Sequence, residues 1–531
     1  MVARVKVMIK VNRMKIKELL LCGLSAVLLT LSFPRADFFV LAWVGLIPLF
    51  FALDGKRPLA AYKLSYFCGL LFFAGTLYWI GHVTVFGTIL LIAYLAIYFG
   101  LFGIGYAMCS SRRRIVKLIC LASLWVILEF IRAHLWTGFG WASLGLSQYK
   151  NLLCIQVAEF TGLGGVSFLI VFGNLFLKEI SKDFYSLFKK EKVSKDFWPS
   201  IIVAGVLLVF VIQFGVYRLF SKIPQGDQKR TVAVIQGNIA QENKWNKTHW
   251  PIIMEKHLVL TQEASKEDPD LIIWPETSFP GFWDSSEERS LQLKSFIQKI
   301  QTPLLFGVIT HEEQAYYNSA VLLSSKGELL KKYNKLHLVP FGEYVPFRRK
   351  FPLLASLIPI ADFDPGQEVI VFPLPKESSI QGGQAPFSVL ICFEDTVPHL
   401  SRGFVNNGAQ LLVNITNDAW FKDTKAPFMH LQSSVFRAVE NKRSLIRAAN
   451  TGVSSFIDPV GRVFRNVKNA KDKRTFVPGY AIDTVAFSSY RTFYTKHGDV
   501  FVVLCLGLFV WGIIPWDLIV SFIFKRKKVN L

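Results

Sequence analysis

Residues 387–395 read FSVLICFED, and this stretch indicates both a fold class and a candidate reactive group. The apolar run FSVLI is typical of a buried β-strand, and it ends at Cys392, with Glu394 and Asp395 close behind. Functional side chains of layered α/β folds commonly lie at the carboxyl ends of strands. The stretch therefore predicts a strand that presents a thiol at its end.

Similar apolar runs recur on both sides of this strand, between residues 221 and 498. They are TVAVIQ at 231–236, DLIIWPE at 270–276, PLLFGVIT at 303–310, SAVLLSS at 319–325 and AQLLVNITN at 409–417. Helix-like segments at 251–267 and 287–301 separate some of them. Continuous apolar strands interleaved with helices predict an α/β layered fold with both sheet faces covered, and about 280 residues suffice for its own core.

The remainder of the chain is far more apolar. The whole sequence is 52% hydrophobic and 18% charged, which excludes a disordered, collagen-like or coiled-coil protein. Eight apolar stretches approach the roughly 20 residues that cross a bilayer: 19–34, 38–53, 64–82, 87–109, 115–131, 153–177, 197–217 and 500–522. We expect a multi-pass α-helical membrane domain with spans one to seven at 1–220, the α/β domain at 221–498, and the eighth span with a basic tail at 499–531.

The positive charge follows these apolar stretches. Although the net charge is +22, residues 221–498 contribute only +6, and clusters such as Arg112–Arg114 and Lys525–Lys528 lie beside apolar runs. This is the positive-inside pattern, which predicts cytoplasmic termini and an extracytoplasmic α/β domain. The charge therefore does not indicate a nucleic-acid partner. No A-x-A-like site follows the first apolar run, which favours a membrane span over a signal peptide.

Cys392 is the only one of seven cysteines in the α/β domain, so it has no partner there for a disulfide. Glu276 follows the run LIIWP, and Lys335 lies in KKYNKLHLVPFGEYVP. A carboxylate can take a thiol proton, and a lysine can hold an oxyanion while favouring the thiolate, so the three residues could form a catalytic triad. The alternative, equally weighted on chemistry alone, is a solvated loop acid and a surface lysine cluster.

Four motifs together resemble a known superfamily. WPE at 274–276, YNKLHLVPFGEYVP at 333–346, CFED at 392–395 and NITNDAWF at 414–421 are similar to the nitrilase superfamily with its Glu, Lys, Cys triad. With the flanking spans, QGNIAQENKW at 236–245 and TGFGWASLGLSQ at 137–148, the chain resembles the apolipoprotein N-acyltransferase family of bacterial membrane enzymes. It departs from that family at Phe393, where a tyrosine is common, and at Gly140, where proline is expected.

The resemblance implies an αββα sandwich outside the membrane and assigns roles within it. Glu276 would be the general base, Lys335 the oxyanion-stabilising lysine and Cys392 the nucleophile. Glu343 would be a supporting carboxylate, and the backbone N–H of Phe393 would join Lys335 at the oxyanion.

The implied reaction is N-acylation of the diacylglyceryl-modified N-terminal cysteine of bacterial apolipoproteins. A phospholipid would donate its acyl group to Cys392 as a thioester, and the acceptor amine would then take it, at the outer face of the cytoplasmic (inner) membrane. No metal or organic cofactor is needed.

Three alternative functions compete with this interpretation. A membrane-anchored amidase acting on a small C–N substrate would need only one or two spans. A binding protein on an inactive nitrilase fold would be expected to lack a triad residue. A transporter would be expected to show repeated halves and more ionisable residues in its spans.

The remaining candidates have competing structural interpretations. Glu394 and Asp395 either support the site or solvate a loop, and Trp245 and Trp420 either line a lipid pocket or pack in the core. His337, two residues from Lys335, offers a His-assisted cysteine mechanism as an alternative to the triad.

Other polar residues are expected to have structural roles or to border the site. Glu129 and Glu159 lie in apolar spans, where they either stabilise the bundle or act in function, while Asn414, Asn417 and Arg437 are expected to order loops. The segment at 347–363, with basic and apolar residues side by side, is interpreted as a mobile lid over the active site that contacts lipid, and the alternative is a core helix.

Overall fold

The computed structural model describes residues 2–221, 229–284, 287–345, 362–374 and 385–514, with side chains from residue 15 onward. The chain forms two compact units. The first, which we call the helical unit, comprises Met1–Gln148, Thr161–Gln213 and Asp499–Leu531. The second, the sandwich unit, comprises Tyr149–Phe160 and Phe214–Gly498.

The α-helices of the described residues are numbered in chain order. They are α1 (Val2–Leu31), α2 (Ile47–Leu53), α3 (Pro58–Leu77), α4 (Val85–Met108), α5 (Arg114–His134), α6 (Leu152–Ile155), α7 (Ala158–Thr161), α8 (Leu163–Phe188), α9 (Phe197–Phe220), α10 (Gln241–Lys244), α11 (Trp250–Ser265), α12 (Glu288–Ile300), α13 (Pro398–Asn406), α14 (Ala426–Asn441), α15 (Phe493–His497) and α16 (Val500–Ile513).

Four helical stretches in the described part of the chain are long and apolar enough to cross a membrane. They are Pro58–His82, Val85–Met108, Leu163–Phe188 and Phe197–Phe220, each of 24 to 26 residues. At about 1.5 Å per residue such a stretch exceeds the roughly 30 Å of a hydrocarbon core. Shorter apolar helices occur at Phe39–Leu53, Leu152–Thr161 and Val500–Ile513. A membrane protein is therefore supported, while the number of eight spans stays a prediction.

The predicted span at 153–177 is wrong in its bounds. The segment breaks into α6, α7 and α8, with Gly162 before α8 in the left-handed region at φ 61°. Gly162 adopts this conformation without a Cβ penalty, which explains the break between α7 and α8. Glu159 consequently lies on a four-residue helix of the sandwich unit and not in a membrane-length helix.

Residues 149–160 are anchored inside the sandwich unit by polar contacts. The Glu159 carboxylate pairs with Arg218, accepts a hydrogen bond from the Tyr490 hydroxyl at 2.9 Å and lies 3.7 Å from Lys442 Nζ. Lys442 Nζ also donates to Gln156 Oε1 at 2.7 Å. These contacts make the short segment an integral part of the unit.

Glu129 has a different environment, on α5 of the helical unit. Its carboxylate accepts hydrogen bonds from Trp125 Nε1, the Leu144 backbone N–H and the Ser167 hydroxyl, at 2.9, 2.7 and 2.6 Å. Because these donors come from α5, the segment before residue 148 and α8, Glu129 joins three parts of the bundle. These contacts agree with the interpretation that Glu129 stabilises the helical bundle.

The sandwich unit contains two sheets. The first has six strands in the order β11-β1-β2-β3-β4-β5 and the second five in the order β10-β9-β8-β7-β6. The strands are β1 (Lys229–Gln236), β2 (Leu271–Ile273), β3 (Leu304–Glu312), β4 (Ala315–Leu323), β5 (Leu329–Asn334), β6 (Phe387–Ile391), β7 (Leu411–Thr416), β8 (Leu445–Ala449), β9 (Ser455–Ile457), β10 (Val463–Asn466) and β11 (Gly479–Ala486). All six apolar runs of the sequence coincide with strands, so the predicted α/β architecture is confirmed.

Parallel pairing brings functional strand ends to common edges. β1, β2 and β3 run parallel, as do β6, β7 and β8. The residues of β2, β6, β7 and β8 are buried throughout, because helices and the facing sheet cover both sides. Side chains that follow β2, β6 and β7 therefore lie at the carboxyl-terminal edges of the sheets, next to a buried core.

Candidate active site

Cys392 follows β6 directly and begins a short 3-10 turn, Cys392–Thr396. Its φ is +52°, in the left-handed region that a non-glycine residue seldom adopts. The Cys392 carbonyl oxygen lies 3.1 Å from Asn414 Nδ2, which donates to it, and 3.1 Å from His430 Nε2. The predicted strand-end thiol therefore exists, on a strained backbone held by two side chains.

Lys335 follows β5 and is almost fully buried, with 1% of its surface exposed. Its Nζ donates a hydrogen bond to Glu343 Oε1 at 2.8 Å and lies 3.6 Å from Glu276 Oε1. Asn318, on β4, donates from Nδ2 to both carboxylates at 2.8 Å. The structure thus brings Lys335, Glu276 and Glu343 together, and the surface-cluster interpretation of Lys335 is wrong.

Glu276 is positioned by the close approach of two backbones. A Cβ on Gly307 would lie 2.6 Å from Glu276 Cα and 2.5 Å from the Thr277 nitrogen, so only glycine fits there. On the other side, Lys244 Nζ donates to the Glu276 carbonyl oxygen at 2.9 Å. Glu276 is 6% exposed and is therefore not a solvated loop acid.

Burial and charge set the protonation of these groups. Burial and the nearby Glu276 raise the pKa of Cys392, and Lys335 opposes this without overcoming it. Burial would lower the pKa of Lys335, but Glu343 and Glu276 outweigh it, so the pKa is raised and the ammonium stays charged. Lys335 does act in favour of the thiolate, since its charge lowers the pKa of Cys392, but burial and Glu276 raise that pKa by more, so the thiol is the favoured form at neutral pH.

Lys244 is a second buried cation near the triad. Burial lowers its pKa to about 8, although Glu276 and Cys392 act in the opposite direction. Sequence reasoning missed this residue, although it lies in QENKW, directly before Trp245.

Glu394 ties the lysine-bearing segment to the segment that carries the cysteine. Its Oε2 accepts a hydrogen bond from the Ile391 N–H at 2.7 Å. Its Oε1 accepts from the Leu336 and His337 N–H groups and the Tyr333 hydroxyl, at 2.8, 3.1 and 2.8 Å. Burial raises the pKa of Glu394 to about 7, opposed by these donors. The carboxylate therefore has a supporting position between two loops.

The aromatic candidates have mixed outcomes. Trp245 and Trp420 are 49% and 47% exposed, so neither is a core residue, and lipid binding by them stays a prediction. Phe393 stacks on His337 with ring centroids 5.8 Å apart. Burial lowers the pKa of His337 to about 4, so the ring is neutral. The contribution of the Phe393 N–H stays a prediction.

Several polar residues have the loop-ordering contacts expected of them. Asn417 Oδ1 accepts from Asn450 Nδ2 at 2.9 Å, and Arg437 Nη1 donates to the Asp395 carbonyl oxygen in the turn after β6 at 3.4 Å. Asp395 is buried and paired with Arg447 at 3.0 Å, so it does not solvate a loop. Most of the suggested lid at 347–363 lies outside the described residues.

The groups missed by sequence reasoning come from distant parts of the chain. Asn318 lies in the middle of an antiparallel strand and His430 on α14, so neither marks a strand end. Within the described ranges, no group of three or more His, Cys, Asp or Glu side chains is arranged to hold a metal ion.

Two family models match this chain. Residues 25–176 match the apolipoprotein N-acyltransferase N-terminal domain, and residues 231–488 match carbon-nitrogen hydrolase. Among solved structures, Saccharomyces cerevisiae Nit3, of branch 10 of the nitrilase superfamily, aligns at 17% identity over 50% of this chain and 93% of its own, with a TM-score of 0.36. That score is too low to bear on activity.

Full-length relatives are more informative. The apolipoprotein N-acyltransferase of Geobacter metallireducens is 36% identical over 97% of this chain and 96% of its own. That of Allorhizobium ampelinum is 32% identical over 88% of this chain and 91% of its own. Both similarities extend through the helical unit and the sandwich unit alike. The chain therefore belongs to the apolipoprotein N-acyltransferase family.

Proposed function

We propose that this protein N-acylates bacterial apolipoproteins, with Cys392 as the acyl carrier. The observation that carries the proposal is the buried contact of Lys335 with Glu276 and Glu343, together with the electrostatic effect of Glu276 and Lys335 on the Cys392 thiol, within the carbon-nitrogen hydrolase region. The full-length similarity to apolipoprotein N-acyltransferases supplies the substrate class.

The first half-reaction forms the acyl-enzyme. Glu276 takes the thiol proton as Cys392 Sγ attacks the acyl ester carbon of a phospholipid, which suits a thiol that is protonated at rest. The tetrahedral oxyanion is held by Lys335 Nζ and the Phe393 N–H. The carbon–oxygen bond then breaks, the leaving alkoxide takes the proton from Glu276, and lysophospholipid departs from a thioester.

The second half-reaction transfers the acyl group. The α-amine of the diacylglyceryl-modified N-terminal cysteine attacks the thioester carbon, and Glu276 removes a proton from the amine. The carbon–sulfur bond breaks as the amide forms, and the Cys392 sulfur regains a proton. Glu343 accepts from Lys335, and Asn318 donates to both Glu276 and Glu343, so these two residues link Lys335 to Glu276 throughout.

The surroundings of the site are also part of the proposal. Residues 1–220 and 499–531 would form eight spans in the cytoplasmic membrane, with residues 221–498 on the periplasmic side, as the basic clusters favour. Exposed apolar side chains on α4 and α9 support contact with lipid. The small-substrate amidase lacks comparable support, because it needs no apolar unit of this size.

The test is acyl transfer to a lipopeptide that carries a diacylglyceryl N-terminal cysteine, followed by mass spectrometry. We expect the wild-type protein and phospholipid to add one acyl chain as an amide, and Cys392→Ala to add none. Cys154→Ala, which removes another buried thiol of the same unit, should retain transfer and is the matched control. Acyl transfer by Cys392→Ala at the wild-type rate would refute the proposal.

A further inference from the structure

Four charged side chains form a closed ring beneath the nucleophile turn. Asp395 follows Cys392, Asp418 follows β7, His430 lies on α14 and Arg447 on β8. All four are 0 or 1% exposed. Charges so deeply buried are costly unless each is paired, so their arrangement requires an explanation.

The contacts alternate around the ring. Arg447 reaches Asp395 Oδ2 at 3.0 Å and Asp418 Oδ2 at 3.2 Å. His430 Nδ1 is hydrogen-bonded to Asp418 Oδ1 at 2.8 Å. His430 Nε2 lies at ion-pair distance, 2.9 Å, from Asp395 Oδ1, while its hydrogen bond is to the Cys392 carbonyl oxygen. Two anions therefore face two cationic groups, provided that His430 carries a proton on each nitrogen.

The neighbours of His430 indicate that it does. Both ring nitrogens face acceptor oxygens, which a neutral imidazole with a single N–H could not satisfy. Burial and Arg447 lower the pKa of His430, but Asp395 and Asp418 raise it further, to about 9. The ring is thus a charge-balanced unit at neutral pH.

One face of this ring touches the reactive residue. His430 Nε2 is 3.1 Å from the Cys392 carbonyl oxygen, and Asn414 Nδ2 donates to the same oxygen. Asn414 is itself held by Arg447, which donates to its Oδ1 at 2.8 Å. A left-handed non-glycine residue persists only where the surroundings fix it, and these contacts supply that restraint.

We propose that His430, as an imidazolium locked between Asp395 and Asp418, is a positioning residue for Cys392. Together with Asn414 it holds the Cys392 carbonyl, and thereby aims the sulfur and the following N–H into the site. His430 acts through the backbone and does not touch substrate. The inference rests on the proposed function only in taking Cys392 as the nucleophile.

A purely structural role for the ring makes a different prediction from a positioning role. In the first case, loss of His430 lowers stability and leaves Cys392 as reactive as before whenever the protein is folded. In the second, Cys392 loses reactivity even after stability is restored.

The experiment uses the full-length protein in detergent or nanodiscs. His430→Leu leaves one uncompensated carboxylate, so the main variant is the double His430→Leu with Asp418→Asn, which keeps one anion and one cation. We measure the thermal midpoint, the rate of Cys392 alkylation by iodoacetamide through peptide mass spectrometry, and kcat and KM for acyl transfer. We expect alkylation about 10-fold slower and kcat about 10- to 100-fold lower, with KM for phospholipid within about twofold.

Two further variants give the comparison its controls. His430→Gln keeps an N–H that can reach the carbonyl, and should recover part of the alkylation rate that the Leu double variant loses. His257→Leu changes another buried histidine, on α11 against Trp274, and should lower stability with alkylation of Cys392 unchanged. Alkylation within twofold of wild type in both His430 variants would overturn the proposal.

The alkylation assay contains no lipid, so it separates this inference from the proposed function. Slow alkylation in the variants, together with a wild-type protein that transfers no acyl group, would refute the function and leave the positioning role of His430 intact. Normal acyl transfer by the folded double variant would refute the positioning role alone.

Discussion

Two charged clusters flank Cys392, and they are balanced differently. Around Lys335, one ammonium faces Glu276 and Glu343, with the Glu276 contact at 3.6 Å. In the ring beneath the cysteine, two cations and two carboxylates contact one another at 2.8 to 3.2 Å. The first cluster has two carboxylates to one contacting ammonium, and the nearby Lys244 donates to the Glu276 carbonyl oxygen and not to its carboxylate, so Glu276 can accept a proton. In the second cluster every charge is paired, so this cluster is suited to fixing the conformation of the turn that carries Cys392.

The largest expected effect is in the unbalanced cluster. Changing Lys335 to Met removes the ammonium that contacts both carboxylates, and should slow acylation about 100-fold or more, roughly 3 kcal/mol. Single-turnover acylation with labelled phospholipid measures it. Lys332→Met, on the exposed strand nearby, is the control and should be close to wild type. Near-normal acylation by Lys335→Met would remove the oxyanion role.

The balanced ring should respond to pH rather than to substrate. The pKa of His430 is raised to about 9 from its ordinary 6.5, so its stabilisation is fully present below pH 6.5 and is lost as pH rises through 9. The full loss is at most about 3 kcal/mol. Thermal unfolding from pH 6 to pH 10 should show this fall in wild type and a flatter profile in the His430→Leu, Asp418→Asn double variant. If the thermal midpoints of wild type and the double variant fall by the same amount between pH 6 and pH 10, His430 is not charged in the ring.

Glu394 connects the two clusters, since it binds residues of the lysine segment and of the cysteine segment. Glu394→Gln replaces one acceptor oxygen by a donor that faces backbone N–H groups, which should cost about 1 to 3 kcal/mol of stability. Tyr333→Phe removes a single donor and should cost less. Calorimetry measures both, and equal stability of Glu394→Gln and wild type would show that the tie contributes little.

The smallest effect concerns the backbone behind Glu276. Gly307→Ala introduces a Cβ at 2.5 to 2.6 Å from the Glu276 and Thr277 backbone, so it should lower stability and, in the protein that remains folded, displace the base and lower kcat about 10-fold. Gly403→Ala is the matched control, because a Cβ there meets nothing within 4 Å. If both variants have the same kcat, the position of Glu276 tolerates this shift.

The sequence predicted most strands because their apolar runs are continuous, and it found Glu276 and Cys392 because both follow such runs. Lys335 was a candidate on chemistry alone, weighted equally with a surface lysine cluster, and Glu343 depended on the resemblance of the motif at 333–346. Asn318 was missed because the pattern of apolar residues indicates which positions are buried, but not which groups the side-chain amide of Asn318 contacts. The break at Gly162 was missed because the apolar stretch Leu152–Thr161 runs almost directly into the apolar helix α8.

The protonation of the site was also beyond sequence reasoning. A lysine near a cysteine suggests a thiolate, but the pKa of Cys392 is raised because burial outweighs that lysine. Similarly, nothing in the spacing of His430 and Cys392 indicates a contact, which exists because α14 packs against the turn after β6.

Residues 149–160 belong to the sandwich unit although they lie between two segments of the helical unit in the sequence. This affects the order in which the unit can fold during synthesis and the fragments that can fold alone. That segment is synthesised before α8, yet Lys442 is translated 286 residues after its partner Gln156, and Tyr490 331 residues after Glu159. The sandwich unit therefore cannot be completed on the ribosome until its last strands emerge. An excised 214–498 fragment would carry Arg218 and Lys442 without Glu159, and would lose the apolar side chain of Ile155 beside Gly461. Supplying residues 149–160 as a separate peptide is the change that should make such a fragment fold.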